Sequence, residues 1–307
     1  MRTLQTAACL IGLWMLGQGC AFASPLSVKE VAEGIYVHQG VHEDFDDNYH
    51  GDIANIGFIV GNEAVAVIDT GGTIKVGAAL REAIRAITDL PIRYVINTHV
   101  HPDHIFGNAA FDLDKPTYVG HHSLPAAMQQ RADSYLRNLQ NQFGKEAEGS
   151  TVIPPTLLVE DELILDLGGR KLELKAWPTA HTNNDLSILD ATTNTWWLSD
   201  LLFIERAPSI DGDIKGWLKA IEEIQATDAR LTIPGHGKVT TDKNAALDNQ
   251  RRYLQTLLDG VRASIRKGIS MSDTMSSAAQ SEANAWLLFD VVNRRNVNLI
   301  YPQLEWE

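Results

Sequence analysis

The sequence is poor in cysteine. Of its 307 residues two are cysteine, Cys9 and Cys20, and both lie in the first 23. Those 23 residues read as an export signal. Arg2 supplies a positive start, residues 7–16 form an apolar core, and Ala21-Phe22-Ala23 is a small–x–small cleavage site that would make Ser24 the first mature residue. The exported chain is then expected to hold no cysteine, which excludes a disulfide, a thiol nucleophile and a thiolate metal ligand. Any metal site in it must be built from histidine and carboxylate. The apolar run is too short for a membrane span. Gly17-Gln18-Gly19 lacks the aliphatic residue expected three positions ahead of a lipidated Cys20, so a lipid anchor is not expected. The expectation is a bacterial exported protein that resides in the periplasm.

Positive charge is also scarce. Lys and Arg number 26 against 39 Asp and Glu, for a net charge of −13, which argues against nucleic acid as a partner and leaves a small molecule as the expected substrate. No internal repeat and no run of like charges is present. The hydrophobic fraction of 44% is ordinary for a globular chain.

What the sequence has is Thr-His-Val-His-Pro-Asp-His at residues 98–104. His99, His101, Asp103 and His104 can all bind a metal, and imidazole with carboxylate suits zinc and other borderline divalent ions. Tyr94-Val95-Ile96 just before reads as a buried strand. Continued, its alternation would point His99 and His101 the same way, about 7 Å apart along the backbone. Pro102 would then break the strand, and a turn would aim Asp103 and His104 at a second point.

The rest of the chain supplies strands and helices around this stretch. Residues 27–40 read as strand, turn, strand. Residues 41–52 form an acidic loop that also carries His42 and His50. Residues 55–60 and 64–68 are apolar strands joined by Gly61-Asn62, and a helix follows over 74–88. A short strand at 117–120 leads through His121-His122 into a long helix over 124–143. Hairpin strands follow at 162–167 and 171–177, then strands at 186–189, 195–198 and 231–234, the last two with a helix at 214–224 between them. From Lys243 an apolar stripe of Leu247, Tyr253, Leu254, Leu257, Leu258 and Val261 marks a helix, and a final helix is expected at 286–292. Within the strand at 195–198, at least one of Trp196 and Trp197 is expected in the core. The two halves suggest an α/β fold with two mixed sheets face to face and helices outside, a four-layer αββα sandwich. It would be one domain over 24–307, with a helical C-terminal extension from about residue 242.

Three further candidate ligands stand at strand ends: His181, Asp200 and His236. The series His-x-His-x-Asp-His, then His, Asp, His resembles the metallo-β-lactamase superfamily over nearly the whole exported chain. The resemblance implies the αββα sandwich and a centre of two Zn²⁺ ions. His99, His101 and His181 match the first metal's ligands, Asp103, His104 and His236 match the second's, and Asp200 matches the bridging carboxylate. Asp69 matches a residue that orients a ligand imidazole. The implied chemistry is a metal-bridging hydroxide attacking an ester, thioester, lactone or β-lactam bond, with Asp103 also orienting the nucleophile or carrying its proton. The centre would be weakly positive and would attract anionic substrates.

Residues 92–111, with His-Pro-Asp-His-Ile-Phe-Gly-Asn-Ala-Ala-Phe, and 203–218, with Glu205-Arg206-Ala207-Pro208 and Asp211-Gly212, are similar to the periplasmic quinoprotein relay system zinc metallohydrolases, the SoxH-like branch. A class B β-lactamase proper and a persulfide dioxygenase-like oxidoreductase with one iron are the alternatives the resemblance leaves open. Asn183 and Asn184, which follow a ligand directly, and His50, whose loop could reach the site, are candidate substrate contacts. His38, His42, His121 and His122 are expected on the surface or in hydrogen bonds.

Overall fold

The structure is a computed structural model, and it describes residues 24–44 and 50–307. The expected export signal and its cleavage site therefore lie outside the described residues, as do Asp46 and Asp47 of the acidic loop.

The chain opens with β1 (Lys29–Ala32), β2 (Ile35–His38), β3 (Ile56–Val60) and β4 (Val65–Ile68), an antiparallel run. Helix α1 (Ile74–Ile87) crosses over to β5 (Ile92–Ile96), which lies parallel to β4. The crossover is sharply started. The Thr73 side chain accepts from Val76 N and so caps the helix, whose apolar face of Val76, Leu80, Ala83 and Ile84 is buried on the sheet. A short helix α2 (Pro102–Ile105) follows. Then come β6 (Thr117–His121), the long helix α3 (Leu124–Phe143) and β7 (Leu157–Val159), which closes a seven-stranded sheet in the order β1 to β7.

The second sheet has five strands, β8 (Glu162–Asp166), β9 (Lys171–Ala176), β10 (Leu186–Asp190), β11 (Thr195–Phe203) and β12 (Leu231–His236). All its pairings are antiparallel except β11 with β12, which α4 (Ile214–Ala226) connects. Helices α5 (Lys243–Arg266), α6 (Met271–Ser277) and α7 (Phe289–Leu304) complete the chain.

Apolar packing sorts the molecule into four layers. Ile35, Ile59, Ile68 and Ile96 of the first sheet meet Leu172, Leu174, Ile188 and Trp197 of the second in one buried cluster. The outer face of the first sheet packs on α1. Trp196, Leu198 and Leu202 on the outer face of the second pack against Trp217 and Ile221 of α4, Leu254 and Leu257 of α5, and Val297 and Ile300 of α7. Both Trp196 and Trp197 are thus core, one on each face, as period-two alternation requires. Among the described residues no helix is long and apolar enough to cross a membrane.

Four details differ from the sequence reading. The strand expected at 195–198 runs on to Phe203, with shifts of register against β12 between Trp197 and Ser199 and between Ser199 and Phe203. Ser199 there takes the left-handed conformation (φ 49°), so the strand bends at its polar residues instead of ending. The last helix begins three residues later than expected, at Phe289, and runs twelve residues further, to Leu304. Strand β7 and helix α6 had no sequence signal. Finally, β5 ends at Ile96, and His99 and His101 lie beyond it. Their convergence comes from the turn into α2, where His101 is the N-cap, and not from strand alternation.

Candidate metal centre and substrate cavity

The seven candidate ligands come together from the turn and short helix after β5, the loop between β9 and β10, the bend within β11 and the end of β12. Two groups form. One is His99, His101, His181 and Asp200, and the other is Asp103, His104 and His236; within each, the ligand atoms lie within 4.8 Å of one another. Asp200 also faces the second group. Its Oδ1 is 3.2 Å from His104 Nε2, while its Oδ2 is 3.3 Å from both His181 Nε2 and His236 Nε2. Asp103 Oδ2 stands 3.5 Å from His104 Nε2 and 3.6 Å from His236 Nε2. The backbone yields to Asp200: a Cβ at Gly235 would lie 1.8 Å from its Oδ1, so a side chain there is excluded.

Each imidazole is held by its outer nitrogen. His104 Nδ1 bonds Asp69 Oδ2 at 2.8 Å, His181 Nδ1 bonds Ser209 O at 2.7 Å, and His236 Nδ1 bonds Ile53 O at 2.7 Å. His99 Nδ1 lies 3.0 Å from Thr98 Oγ1, which in turn donates to Asp69 Oδ2 at 2.7 Å. His101 is turned the other way, with Nε2 3.0 Å from Asp211 Oδ2 and Nδ1 inward. A carbonyl or carboxylate acceptor fixes the proton on the outer nitrogen, so the inner nitrogen presents a lone pair. His101 Nδ1 is 3.0 Å from both His99 Nε2 and His181 Nε2. Three lone pairs meeting so closely need a cation among them, and nitrogens about 2.0–2.1 Å from one zinc would stand at nearly this spacing.

The second group gives the same result. His104 Nε2 and Asp200 Oδ1 are buried, make no hydrogen bond, and face each other across 3.2 Å. Burial opposes a charge on His104, yet Asp200, Asp103 and Asp69 outweigh it and hold its pKa well above the usual value. The position demands positive charge, as a proton or as a metal. Burial drives His99 well below its ordinary value and takes His181 down to about 4, so both stay neutral and able to coordinate. For Asp200, burial pushes the pKa up, but His236, His104 and His99 prevail and keep it well below the carboxylate range. The residues fit a pair of divalent cations.

Asp69 ends β4 with φ 55°, a strained conformation for a non-glycine residue. Strain there is matched by three hydrogen bonds: its Oδ1 accepts from Thr98 N at 2.8 Å, and its Oδ2 accepts from Thr98 Oγ1 and His104 Nδ1. It thereby orients His104 directly and His99 through Thr98.

A cavity of about 550 Å³ opens over both groups, within the range that small-molecule sites occupy. His101, Asp103, Asp200 and His236 floor it, α3 and Phe106 form one wall, and Ile210, Arg206, Arg295 and Asn296 form another. Asn183 and Asn184 do not line it. Asn183 is exposed, and buried Asn184 donates to Asn183 Oδ1. His50 is exposed and pairs with Glu43 at 3.6 Å. His38 pairs with Asp52, His42 with Glu205, and His121 sits between Trp177 O and Ser123 N.

Sequence reasoning missed two residues of the site. Asp211 anchors His101 from 110 positions away, and Arg131 Nη1 donates to the same Asp211 oxygen and to Tyr135 Oη. Asp211 lies within a stretch that had been singled out only by resemblance. Arg131 carried no signal, being one of several charges on a long helix.

The sequence model of the Metallo-beta-lactamase superfamily matches residues 50–236, the span from His50 to the last ligand. A linear primary-alkylsulfatase from Pseudomonas sp. is 39% identical over 217 residues, covering 57% of this chain and 40% of that protein. The chain thus spans well under half the length of this relative. Among solved structures, the stereoselective inverting sec-alkylsulfatase Pisa1 from Pseudomonas sp. shares the fold with a TM-score of 0.68 at 17% identity, over 91% of this chain and 50% of that one. A metallo-beta-lactamase from Pontibacter korlensis does so at 0.58 and 19%, over 75% of this chain and 99% of that one. With two sheets stacked between helices and the ligand series at their strand ends, the chain belongs to the metallo-beta-lactamase superfamily.

Proposed function

We propose that this chain is a two-zinc hydrolase that cleaves an ester-class bond, whether ester, thioester, lactone or β-lactam, in a small molecule. The observation that carries this reading is Asp200, whose Oδ2 lies 3.3 Å from a histidine of each ligand group, His181 and His236, and whose Oδ1 lies 3.2 Å from His104 of the second. His99, His101 and His181 would hold one ion, Asp103, His104 and His236 the other, and Asp200 both. Two zinc ions so held supply an activated water at neutral pH and a Lewis acid for the oxygen of the bond under attack.

The chain's own residues do the positioning. Asp69, Asp211, Ser209 O and Ile53 O lock the five imidazoles, so little reorganisation is needed when charge develops. Asp103 sits on the cavity floor with its carboxylate beside His104 and His236, where it can orient an attacking water and carry its proton. Phe106 and Ile210 add apolar surface to the cavity lining.

A second reading, hydrolysis of a sulfate ester, is favoured by the alkylsulfatase relative. It uses the same residues on a different electrophile. The export signal in residues 1–23 supports a periplasmic setting, as does the likeness to the SoxH-like branch; a mature protein beginning at Ser24 in a periplasmic extract is the expected finding. The function is tested by loading the metal-free protein with zinc and assaying nitrocefin, a thioester, a lactone and an alkyl sulfate in parallel. Turnover of at least one that is lost on chelation supports the reading. No turnover with two zinc ions bound, or activity that requires a single iron, overturns it.

A further inference from the structure

One helix gives the cavity an extended wall. Arg131, Tyr135, Leu139 and Phe143 all line it. They recur every four residues on α3, which places them in one stripe on one face. From first to last the stripe extends about 18 Å along the helix axis.

The two ends differ in chemistry. Arg131 donates to Asp211, the anchor of His101, so this end abuts the candidate metal centre. The far end is mainly apolar, although exposed Asn138 and Gln142 line it beside Leu139 and Phe143. Leu139 belongs to a buried cluster with Phe106 and Ala147, and half-buried Phe143 and Tyr135 pack against it. Phe106 backs the stripe, its ring centroid 6.3 Å from that of Tyr135. Tyr135 spends its hydroxyl on Arg131, which leaves ring carbon facing the cavity. An apolar trough leading away from a polar centre is how small-molecule sites hold the unreacting part of a substrate.

We propose that the substrate is elongated, with its scissile group at the ligand cluster and an apolar arm lying along Tyr135, Leu139 and Phe143. The proposal rests on the hydrolase reading for the head of the substrate and on α3 alone for the arm. Each methylene removed from water strengthens binding about fourfold when fully buried. The arm is the specificity element. The head is fixed by the metal ligands, and the wall selects among molecules that share it.

The test compares p-nitrophenyl butyrate, octanoate and dodecanoate, below their aggregation limits, on the zinc-loaded enzyme and on Phe143→Ser. In wild type kcat/KM should rise at least about tenfold from the butyrate to the dodecanoate, mainly through KM. In Phe143→Ser the ratio of the dodecanoate to the butyrate kcat/KM should shrink severalfold. Binding of butyrate, dodecanoate and dodecyl sulfate to the metal-free protein, followed by calorimetry, separates this from the hydrolase reading because it needs no turnover. Dodecanoate or dodecyl sulfate binding at least tenfold tighter than butyrate upholds the arm site even if no ester is cleaved. A flat series in wild type, or an equal slope in a folded Phe143→Ser, overturns it. Should Phe143→Ser not fold, the wild-type series and the calorimetry decide.

Discussion

The floor and the wall of the cavity are built on opposite principles. The candidate ligands that make and underlie the floor are nearly inaccessible apart from the partly exposed His101: His99, His104, His181, His236, Asp103 and Asp200 are all 4% exposed or less. The four histidines among them have their orientation fixed by a partner on another element, through Asp69, Ser209 or Ile53. The wall is one helix with a half-exposed stripe, held chiefly by apolar packing. The floor can accept almost no substitution, because ion coordination needs particular atoms at particular distances. The wall can change side chains while keeping its helix. One layer therefore sets the chemistry and the other sets what undergoes it.

The comparison is broken most forcefully at Asp200. Asp200→Ala should cost at least about 100-fold in kcat/KM, more than losing an outer partner does, because both ligand groups lose a carboxylate. It should also lower the stability of the metal-free protein near neutral pH, since the ionised carboxylate there is favoured by His236, His104 and His99 and offsets the charge held at His104. Zinc content and heat denaturation measured together check both halves of that statement.

Asp69→Ala comes next. Thr98 and His104 lose their acceptor, and zinc affinity should fall about 10–100-fold, as a competing chelator would report. Asp69→Asn should recover little, because an amide cannot accept two donors at one oxygen as well as a carboxylate does.

At the junction of floor and wall the effect is smaller. Arg131→Met leaves Asp211 to His101 alone and frees it to swing toward solvent. Zinc affinity at the first group should drop about tenfold, with Arg131→Lys intermediate because it keeps the charge without the planar fork. An unchanged zinc affinity would place Arg131 in the wall only.

The effect of least consequence for zinc binding lies away from the cavity. His121 ends β6 and accepts from Ser123 N through Nδ1, while Nε2 meets Trp177 O. Burial, with His122 beside it, lowers its pKa from 6.5 to about 4. The folded state thus favours the neutral ring. Its contribution is complete above pH 6.5 and is lost as the pH falls toward 4, where the unfolded chain takes up the proton first. Metal-free wild type should exceed His121→Gln by about 2 kcal/mol at pH 7, and the gap should close by pH 4. A gap independent of pH would mean that His121 acts by packing alone.

The same division governs what the sequence revealed. The floor was legible because few residue types bind zinc and they fall in a fixed order along the chain. Most strands were legible from apolar runs ended by glycine or proline. Where the reading failed, a polar residue did structural work. Ser199 and Asp200 looked like the end of a strand because their polarity serves the site, yet the sheet continues through a bend to Phe203. The last helix was legible only over its first turn, because Asn293 and Asn296 occupy core positions, where they bond Ala278 O, Pro208 O and Tyr253 Oη. The wall was illegible for another reason. Arg131 and Phe143 acquire meaning only when α3 is laid beside residues 211 and 106, and nothing local encodes that contact. Likewise no spacing rule links His101 to Asp211.

The central claim is that Asp200 joins two metal sites into one centre. Zinc titration into the metal-free protein, followed by calorimetry and by elemental analysis after dialysis, tests it most directly. The account expects two zinc ions per chain in wild type and a loss of at least one site, or of the affinity of both, in Asp200→Ala. A single site in wild type, or two sites that Asp200→Ala leaves unchanged, would contradict it.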